Sequence, residues 1–161
     1  MWTKAIALLR RLLPAAAGIS LLATVSYAQA PPTSTPPIPL SEARVWFYRD
    51  ASTYDSQEQP YILMNGAIVA LSQPRGSFYI DVKPGFYHVT VQQYLNAPEE
   101  AANVNLLPGQ QVYLKIVSLT NCIAGGNRRA SEFSRPCFYV WTIPEQVAQA
   151  EVAHTPFYGG K

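Results

Sequence analysis

The sequence predicts an all-β protein, an antiparallel β-sandwich of about seven to eight strands with a short C-terminal helix, following a cleaved signal peptide. Three observations support this fold class. Two turn signals lie back to back within residues 61–94, short segments alternate between apolar and polar residues, and past the leader a helical pattern occurs only near the C-terminus. Parallel βαβ units would need helices between the strands, so the pattern favours a sandwich.

The turn signals predict four strands in meander order. Asn65-Gly66 suits a type I′ turn, because both central residues need a positive φ. Pro84-Gly85 suits the central positions of a type II turn, since Pro fixes φ and Gly accepts the positive φ that follows. The strands that these turns predict cover residues 60–64, 67–72, 76–82 and 86–95.

The domain begins with a segment of strand period at residues 43–49. Val45 and Phe47 point to one side of this strand, and Trp46 and Tyr48 point to the other. Each strand should therefore bury one face and leave the other in water. Further strands are predicted at about residues 103–107, 110–119 and 137–143, and loops at 50–59, 96–102 and 120–136.

The C-terminal part predicts the only helix of the domain. Pro144 suits the first turn, Glu145 lies near the positive end of the helix dipole, and the helix should end at about residue 152. The tail, residues 153–161, shows no periodicity. We therefore expect one β-sandwich domain over residues 42–152.

The N-terminus has the features of a signal peptide, residues 1–28. Three basic residues precede an uncharged run, and an A-x-A-like site favours cleavage after Ala28. A transmembrane anchor is the alternative, but the run is shorter than the roughly 20 residues of a span and contains Pro14. Residues 29–41 are proline-rich and predict a disordered linker, either a spacer or an unstructured mature N-terminus.

The charge of the chain argues against nucleic-acid binding. The whole chain carries a net charge of +2, from 12 basic and 10 acidic residues. Three of the basic residues lie in the leader, which leaves nine basic against ten acidic side chains. The apparent basicity therefore belongs to the signal peptide. No lipobox cysteine is present, so the membrane is expected as a partner only through the uncleaved leader.

Two cysteines, Cys122 and Cys137, lie in the exported part. In an oxidising compartment they are expected to form a disulfide that closes a loop of about 15 residues, worth ~3 kcal/mol in the chain-entropy model. The alternative is a pair of buried free thiols. The protein is thus predicted to be periplasmic or secreted.

Several segments resemble a family of bacterial envelope proteins across residues 42–152. The resemblance is carried, in chain order, by ARVWFYR, YILMNG, GSFYIDVKPGFYHVTV and PGQQVYLKI. That family is classified as a domain of unknown function with a prealbumin-like or carboxypeptidase-regulatory-like sandwich. The resemblance implies an exported, non-catalytic module and supplies no active site. The loop at residues 122–137 departs from it, as does the missing lipobox cysteine.

No catalytic, metal or cofactor site is expected. His88 and His154 are the only histidines, and neither has a partner at ligand spacing. The glycine-rich phosphate loops and G-x-S-x-G are absent, and Asp81 is expected to be a solvated outward carboxylate. Prealbumin-like hydroxyisourate hydrolases end in Tyr-Arg-Gly-Ser, of which only Tyr158 and Gly160 match.

Binding is the function that remains. The outward positions of the strands are rich in aromatic residues, which can stack on sugars or anchor a protein. Cross-strand pairing, or burial under the terminal helix, explains the same pattern without a ligand. The outward residues in question are Trp46, Tyr48, Tyr79, His88, Tyr113, Tyr139 and Trp141.

The cysteine-closed loop is the second candidate surface. It carries Arg128, Arg129 and Arg135, and it leads into the strand with Tyr139 and Trp141. Long loops are often functional, and a disulfide organises one for binding, although a solvated insertion is the alternative. We expect a non-catalytic binding or envelope-assembly module whose partner is an envelope protein or a glycan. A structural accessory subunit of an envelope complex and a prealbumin-like hydrolase are the alternatives.

Overall fold

The computed structural model describes residues 35–50, 52, 55–93, 101–119 and 137–160. These residues form nine strands and one helix. The strands are β1 (Ala43–Tyr48), β2 (Tyr61–Met64), β3 (Ala67–Leu71), β4 (Ser77–Val82), β5 (Gly85–Val91), β6 (Ala102–Leu106), β7 (Gln111–Leu119), β8 (Cys137–Ile143) and β9 (Phe157–Gly160), and the helix is α1 (Glu145–Val152).

The strands form two sheets. Sheet A has the order β8-β7-β1-β4-β9, and sheet B has the order β3-β2-β5-β6. The all-β, sandwich-like fold is therefore confirmed, together with the short helix. The expectation of purely antiparallel pairing is wrong for sheet A, where β1 is parallel to β7 and β4 is parallel to β9.

Both sheets contribute to one apolar core. Phe47 and Leu114 of sheet A and Ile62 and Val89 of sheet B are fully buried in the same cluster. These residues alternate with outward-facing neighbours, as the strand period predicts. However, all six residues of β1 are buried, because the outer face of this central strand is covered as well.

The Asn65-Gly66 hairpin is confirmed. Asn65 has φ of 50° and Gly66 has φ of 79°, and the turn joins β2 to its antiparallel neighbour β3. The Asn65 side chain also extends the ladder between β2 and β5, because its Oδ1 accepts the His88 backbone N–H at 2.8 Å. The turn thus fixes the register of three strands of sheet B.

The prediction of a second hairpin at Lys83-Pro84-Gly85 is wrong. β4 belongs to sheet A and β5 to sheet B, so this turn carries the chain across the core, and β5 pairs with β2 and β6. Gly85 has φ of 151° and already begins β5, which does not fit a type II turn. A Pro-Gly pair reverses the chain locally but does not determine which sheet receives the next strand.

The tail contains a strand that the sequence did not indicate. Residues Phe157–Gly160 form β9 at the edge of sheet A, beside β4, and the Ser77 backbone N–H donates to the Pro156 carbonyl at 2.9 Å. Four residues are too few to reveal a period of two. Gly160 lies so close to Tyr79 that a Cβ there would come within 2.0 Å of the ring.

The described part of the predicted linker has no regular structure but is attached to the domain. Residues 35–39 form neither helix nor strand, and the Pro36 carbonyl accepts a hydrogen bond of 2.7 Å from Arg44 Nη1. The predicted signal peptide and residues 29–34 lie outside the described residues. Within the described ranges, no helix is long and apolar enough to cross a membrane.

Candidate binding site

The helix α1 covers most of the aromatic face of sheet A. Trp46, Tyr48, Tyr79 and Tyr113 are buried in a cluster with residues of α1, among them Ala148. Trp46 stacks on Tyr113 with centroids 5.9 Å apart and an interplanar angle of 8°. The interpretation as buried structural aromatics is therefore correct for these four side chains, and they are not available to a ligand.

The edge of this cluster contains a buried ion pair. Arg44 Nε and Nη2 donate to the two carboxylate oxygens of Asp81, each at 2.7 Å, and the guanidinium lies 3.9 Å from the centre of the Tyr79 ring. The hydrogen bond to Asp81 raises the pKa of Arg44, although burial opposes this. The expectation that Asp81 is a solvated carboxylate is wrong, because strand pairing places Arg44 directly opposite it.

Polar contacts hold α1 on the sheet. Tyr48 Oη donates to Glu151 Oε2 at 2.6 Å, and Lys115 Nζ lies 3.0 Å from Glu151 Oε1 and 2.8 Å from Asp50 Oδ2. Burial, and then the bond to Glu151, raises the pKa of Tyr48 far above its ordinary value. Burial lowers the pKa of Lys115, but its bonds to Asp50 and Glu151 outweigh that effect, so this pKa is raised.

Beyond α1, the outer face of sheet A opens into a groove of about 540 Å³. We call this cavity the Trp141 groove. Trp141 on β8 is 50% exposed and lies opposite Lys115 on β7 in the strand register. The groove is lined by Asp50, Ser52, Asp55, Lys115, Val117, Ser118, Leu119, Trp141 and Ile143. It therefore combines an apolar wall with a polar end.

The polar end is held in place by Arg49, which is 1% exposed. Its Nε and Nη2 donate to Asp55 Oδ1, at 3.1 and 2.5 Å, and its Nη1 donates to the Glu58 carbonyl at 2.7 Å. Ser118 Oγ on β7 also donates to Asp55 Oδ1, at 2.6 Å. These bonds attach the segment after β1 to the end of sheet A and place Asp55 at the groove.

Asp55 has one carboxylate oxygen that is not used. Oδ1 accepts three hydrogen bonds, whereas the buried Oδ2 has no partner. The side chain of Asp55 is 5% exposed. A buried acceptor without a donor costs about 1–3 kcal/mol. Because Oδ2 is enclosed, its missing hydrogen bond is a local cost of this arrangement and not a contact that is open to the groove.

The edge of β8 is capped by a side chain from sheet B. Gln93 follows β5, its Nε2 donates to the Phe138 carbonyl, and its Oε1 accepts the Phe138 N–H at 3.1 Å. Among the described strands, β8 has only β7 as a neighbour, so this amide lies on its open side. It therefore contacts both the N–H and the carbonyl of Phe138.

The structure describes only part of the predicted binding surface. Trp141 lines the groove, and Tyr139 is half-buried two residues earlier on β8. Cys137 is buried at the start of β8, opposite Leu119 in the register. Outside the described residues lie Cys122, Arg128, Arg129 and Arg135, so the disulfide and the arginine cluster stay predictions.

Sequence reasoning missed the acidic side of the groove. Asp50 and Asp55 lie in a polar segment that shows no pattern, and their meeting with Lys115 and Ser118 depends on tertiary contacts. The outward position of Lys115 on its strand was the one available signal. His88 lies on the exposed outer face of sheet B, where its Nδ1 is 2.8 Å from Asn103 Oδ1.

Another groove, of about 440 Å³, lies over sheet B. Tyr61, Leu63 and Ile68 line it, and none of the described residues that line it is charged. On the same sheet, Phe86 is 62% exposed. This surface supplies exposed apolar side chains on the other sheet, and Phe86 serves below as a matched control.

In the described part of the chain, no group of three or more His, Cys, Asp or Glu side chains could hold a metal ion. Comparisons of the chain with protein-family models, with curated proteins and with solved structures find no match. The resemblance to the envelope family therefore stays a prediction.

Proposed function

We propose that this protein is an exported, non-catalytic binding or envelope-assembly module whose partner contacts the Trp141 groove. The observation that supports this most directly is the exposure of Trp141. The outward aromatic side chains Trp46, Tyr48, Tyr79 and Tyr113 are buried in a cluster with α1, whereas Trp141 is half exposed beside an open cavity. Exposed Trp in such a position is typical of a binding hot spot.

The segment in which the sequence places Arg128, Arg129 and Arg135 follows Leu119, which lines the groove. β7 ends at Leu119 and β8 begins at Cys137, which lie opposite each other in the register. The two ends of this segment are therefore paired on neighbouring strands of sheet A, and Trp141 lies four residues after Cys137 on β8.

Capture from an envelope extract tests the proposal. We expect the mature protein to retain an envelope protein or glycan, and Trp141→Ala to reduce the amount retained. The double variant Arg128→Ala with Arg129→Ala should also reduce it, since those side chains add hot-spot contacts. Phe86→Ala, which removes an exposed aromatic side chain elsewhere, is the matched control and should retain the partner.

The alternative role, a structural accessory subunit, is favoured by the exposed apolar residues of sheet B. Ile68 is 61% exposed and Phe86 is 62% exposed on a sheet that no described helix covers. Loss of capture in Phe86→Ala, with Trp141→Ala unaffected, would contradict the groove assignment and favour this role. Retention by all variants would contradict both.

Export and the absence of catalysis are further parts of the proposal. Mass spectrometry of envelope-extracted protein should give a chain that begins after Ala28, and a chain with an intact Met1 would contradict export. Ester, peptide, glycoside and hydroxyisourate substrates should not turn over above background. Turnover that is lost when His88 or His154 is replaced would contradict the non-catalytic assignment.

A further inference from the structure

We infer that residues 35–42 form a strap that Arg44 holds against the domain, so that the chain reaches β1 along one fixed path. We call this segment the N-terminal strap. The sequence predicts a disordered linker there, and the inference replaces that linker with a held segment. It does not depend on the proposed binding function. Three features carry it: the hydrogen bonds of Arg44, the turn that ends the strap and the prolines within it.

The guanidinium of Arg44 supplies the contact that holds the strap. Its Nε and Nη2 donate to the two carboxylate oxygens of Asp81, and its Nη1 donates to the Pro36 carbonyl, each at 2.7 Å. Arg44 is 2% exposed, and its guanidinium lies 3.9 Å from the centre of the Tyr79 ring. The planar fork is therefore fixed by the domain, and its remaining donor points in one direction, toward the strap.

Backbone hydrogen bonds fix the other end of the strap. The Glu42 N–H donates to the Pro39 carbonyl at 2.9 Å, and the Glu42 carbonyl accepts the Gly109 N–H at 2.7 Å. The Arg44 N–H donates to the Gln110 carbonyl at 2.9 Å, at the point where β1 begins to pair with β7. The strap is thus attached to the domain at both of its ends.

The composition of the strap lowers the entropy that is lost when it is held. Three of its eight residues are proline, namely Pro36, Pro37 and Pro39. Proline has a fixed φ and no N–H, so these positions lose little backbone freedom and leave no donor to be satisfied. Most of the strap is exposed, and Leu40 is 96% exposed, so buried apolar surface contributes little. Among the contacts of the described residues, the hydrogen bond from Arg44 is therefore the one that distinguishes a held strap from a free one.

The strap determines where the N-terminal segment lies relative to the Trp141 groove. It reaches the domain at the start of β1, whereas Asp55 follows the end of β1 and Leu119 ends the parallel strand β7. The six residues of β1 separate these two ends of sheet A by about 20 Å. A held strap therefore keeps the polar end of the groove directed away from the point at which the N-terminal segment meets the domain.

Backbone order measured by NMR relaxation tests the inference on the mature protein. The amide of Ile38 reports on the strap, because it lies between the contact at Pro36 and the turn that begins at Pro39. Rigid backbone has an order parameter of about 0.85, and flexible backbone has one below about 0.6. We expect a value above about 0.6 at Ile38. A lower value in the wild-type protein would overturn the inference.

Arg44→Lys identifies the side chain that holds the strap. Lysine keeps a charge opposite Asp81 but loses the fork that also reaches the strap. The order parameter of Ile38 should therefore fall below about 0.6, while that of Val45 on β1 stays as in the wild type. Arg75→Lys, the same change at an exposed arginine outside the strap, is the matched control and should leave Ile38 unchanged. Unchanged order at Ile38 in folded Arg44→Lys would overturn the inference.

A second variant changes the strap and leaves the buried ion pair intact, which keeps the test decisive if Arg44→Lys does not fold. Replacing Pro37 and Pro39 by Gly retains the Pro36 carbonyl but gives the free strap more backbone freedom to lose. The order parameter of Ile38 should fall here as well. Unchanged order would mean that contacts other than one hydrogen bond hold the strap, and the assignment to Arg44 would be overturned.

Discussion

Tyr48 donates a hydrogen bond of 2.6 Å to Glu151, which joins the central strand of sheet A to the last turn of α1. The two residues are 103 positions apart in the chain. Lys115 binds the other carboxylate oxygen of Glu151. Glu151 thus contacts residues of two neighbouring strands, β1 and β7, and these contacts keep α1 over the aromatic cluster.

This contact predicts a loss of stability in alkaline solution. The pKa values of Tyr48 and Lys115 are both raised in the folded state, so the folded protein holds these protons more tightly than the unfolded chain does. Their contribution is complete below the ordinary values of about 10 and is lost as the pH rises above them. Urea unfolding at about pH 8 and about pH 11 should show this decrease.

Tyr48→Phe tests the source of the alkaline effect. It should lower the free energy of unfolding at neutral pH by about 1–2 kcal/mol and should flatten the alkaline decrease, because the titrating hydroxyl is gone. Tyr87→Phe is the control, since its hydroxyl donates to the Lys83 backbone carbonyl. An alkaline decrease as steep in Tyr48→Phe as in the wild type would contradict the assignment.

The Arg44–Asp81 pair predicts a strong asymmetry between single and double replacement. Arg44 is 2% exposed and Asp81 12% exposed, so Arg44→Ala leaves a poorly solvated carboxylate and should cost about 3–5 kcal/mol. Replacing Arg44 by Met and Asp81 by Leu together removes both charges and should cost less. Denaturant midpoints measure the difference. A double variant less stable than the single one would contradict this interpretation.

Gly160 predicts a packing defect at the edge of sheet A. A Cβ at Gly160 would lie 2.0 Å from Tyr79 Cζ, and Tyr79 is held in the cluster under α1. Gly160→Ala should displace β9 from β4 and cost about 1–3 kcal/mol. Hydrogen exchange should show faster exchange at the Ser77 amide.

Gly76→Ala is the matched control for this defect. Its added Cβ would lie 2.2 Å from Tyr158, a half-exposed ring that can turn aside, so the loss should be smaller. Equal losses in the two variants would show that the rigidity of Tyr79 does not matter.

The register of β7 and β8 makes the Cys122–Cys137 bond a sharper prediction. Leu119 is opposite Cys137, and Cys122 follows Leu119 by only three residues in the sequence, a separation short enough for the chain to return to Cys137. Non-reducing peptide mapping should recover the linked pair. Cys137→Ser should lose about 3 kcal/mol of stability under oxidising conditions. Alkylation of both thiols in the native protein would contradict the bond.

The fold was predictable where local chemistry determines it. The turn predicted at Asn65-Gly66 is correct, because both positions need a positive φ and these two residues adopt it. Pro84-Gly85 misled because a turn looks the same whether the next strand pairs locally or joins the other sheet. β9 was not predicted, because its position depends on packing against β4 and Tyr79. A segment of four residues is too short to show a strand pattern in the sequence.

The site was predictable only in part, for a related reason. Trp141 could be chosen from its residue type and its outward phase on a strand. The position of Asp55 at the groove could not be predicted, because it depends on hydrogen bonds from Arg49 and Ser118. Both residues donate to Oδ1 and leave Oδ2 without a partner. A hydrogen-bond deficit of this kind is a property of three segments meeting, and no single segment displays it.

The Gln93 amide on the edge of β8 has a consequence for how partners can be chosen. Any extended peptide can pair with a bare strand edge, because backbone groups are the same in every protein. Here the chain's own amide occupies the backbone groups of Phe138, so a visiting strand would first have to displace it. A partner that approached this side of the molecule would therefore have to be recognised by side-chain shape, not by backbone pairing at Phe138.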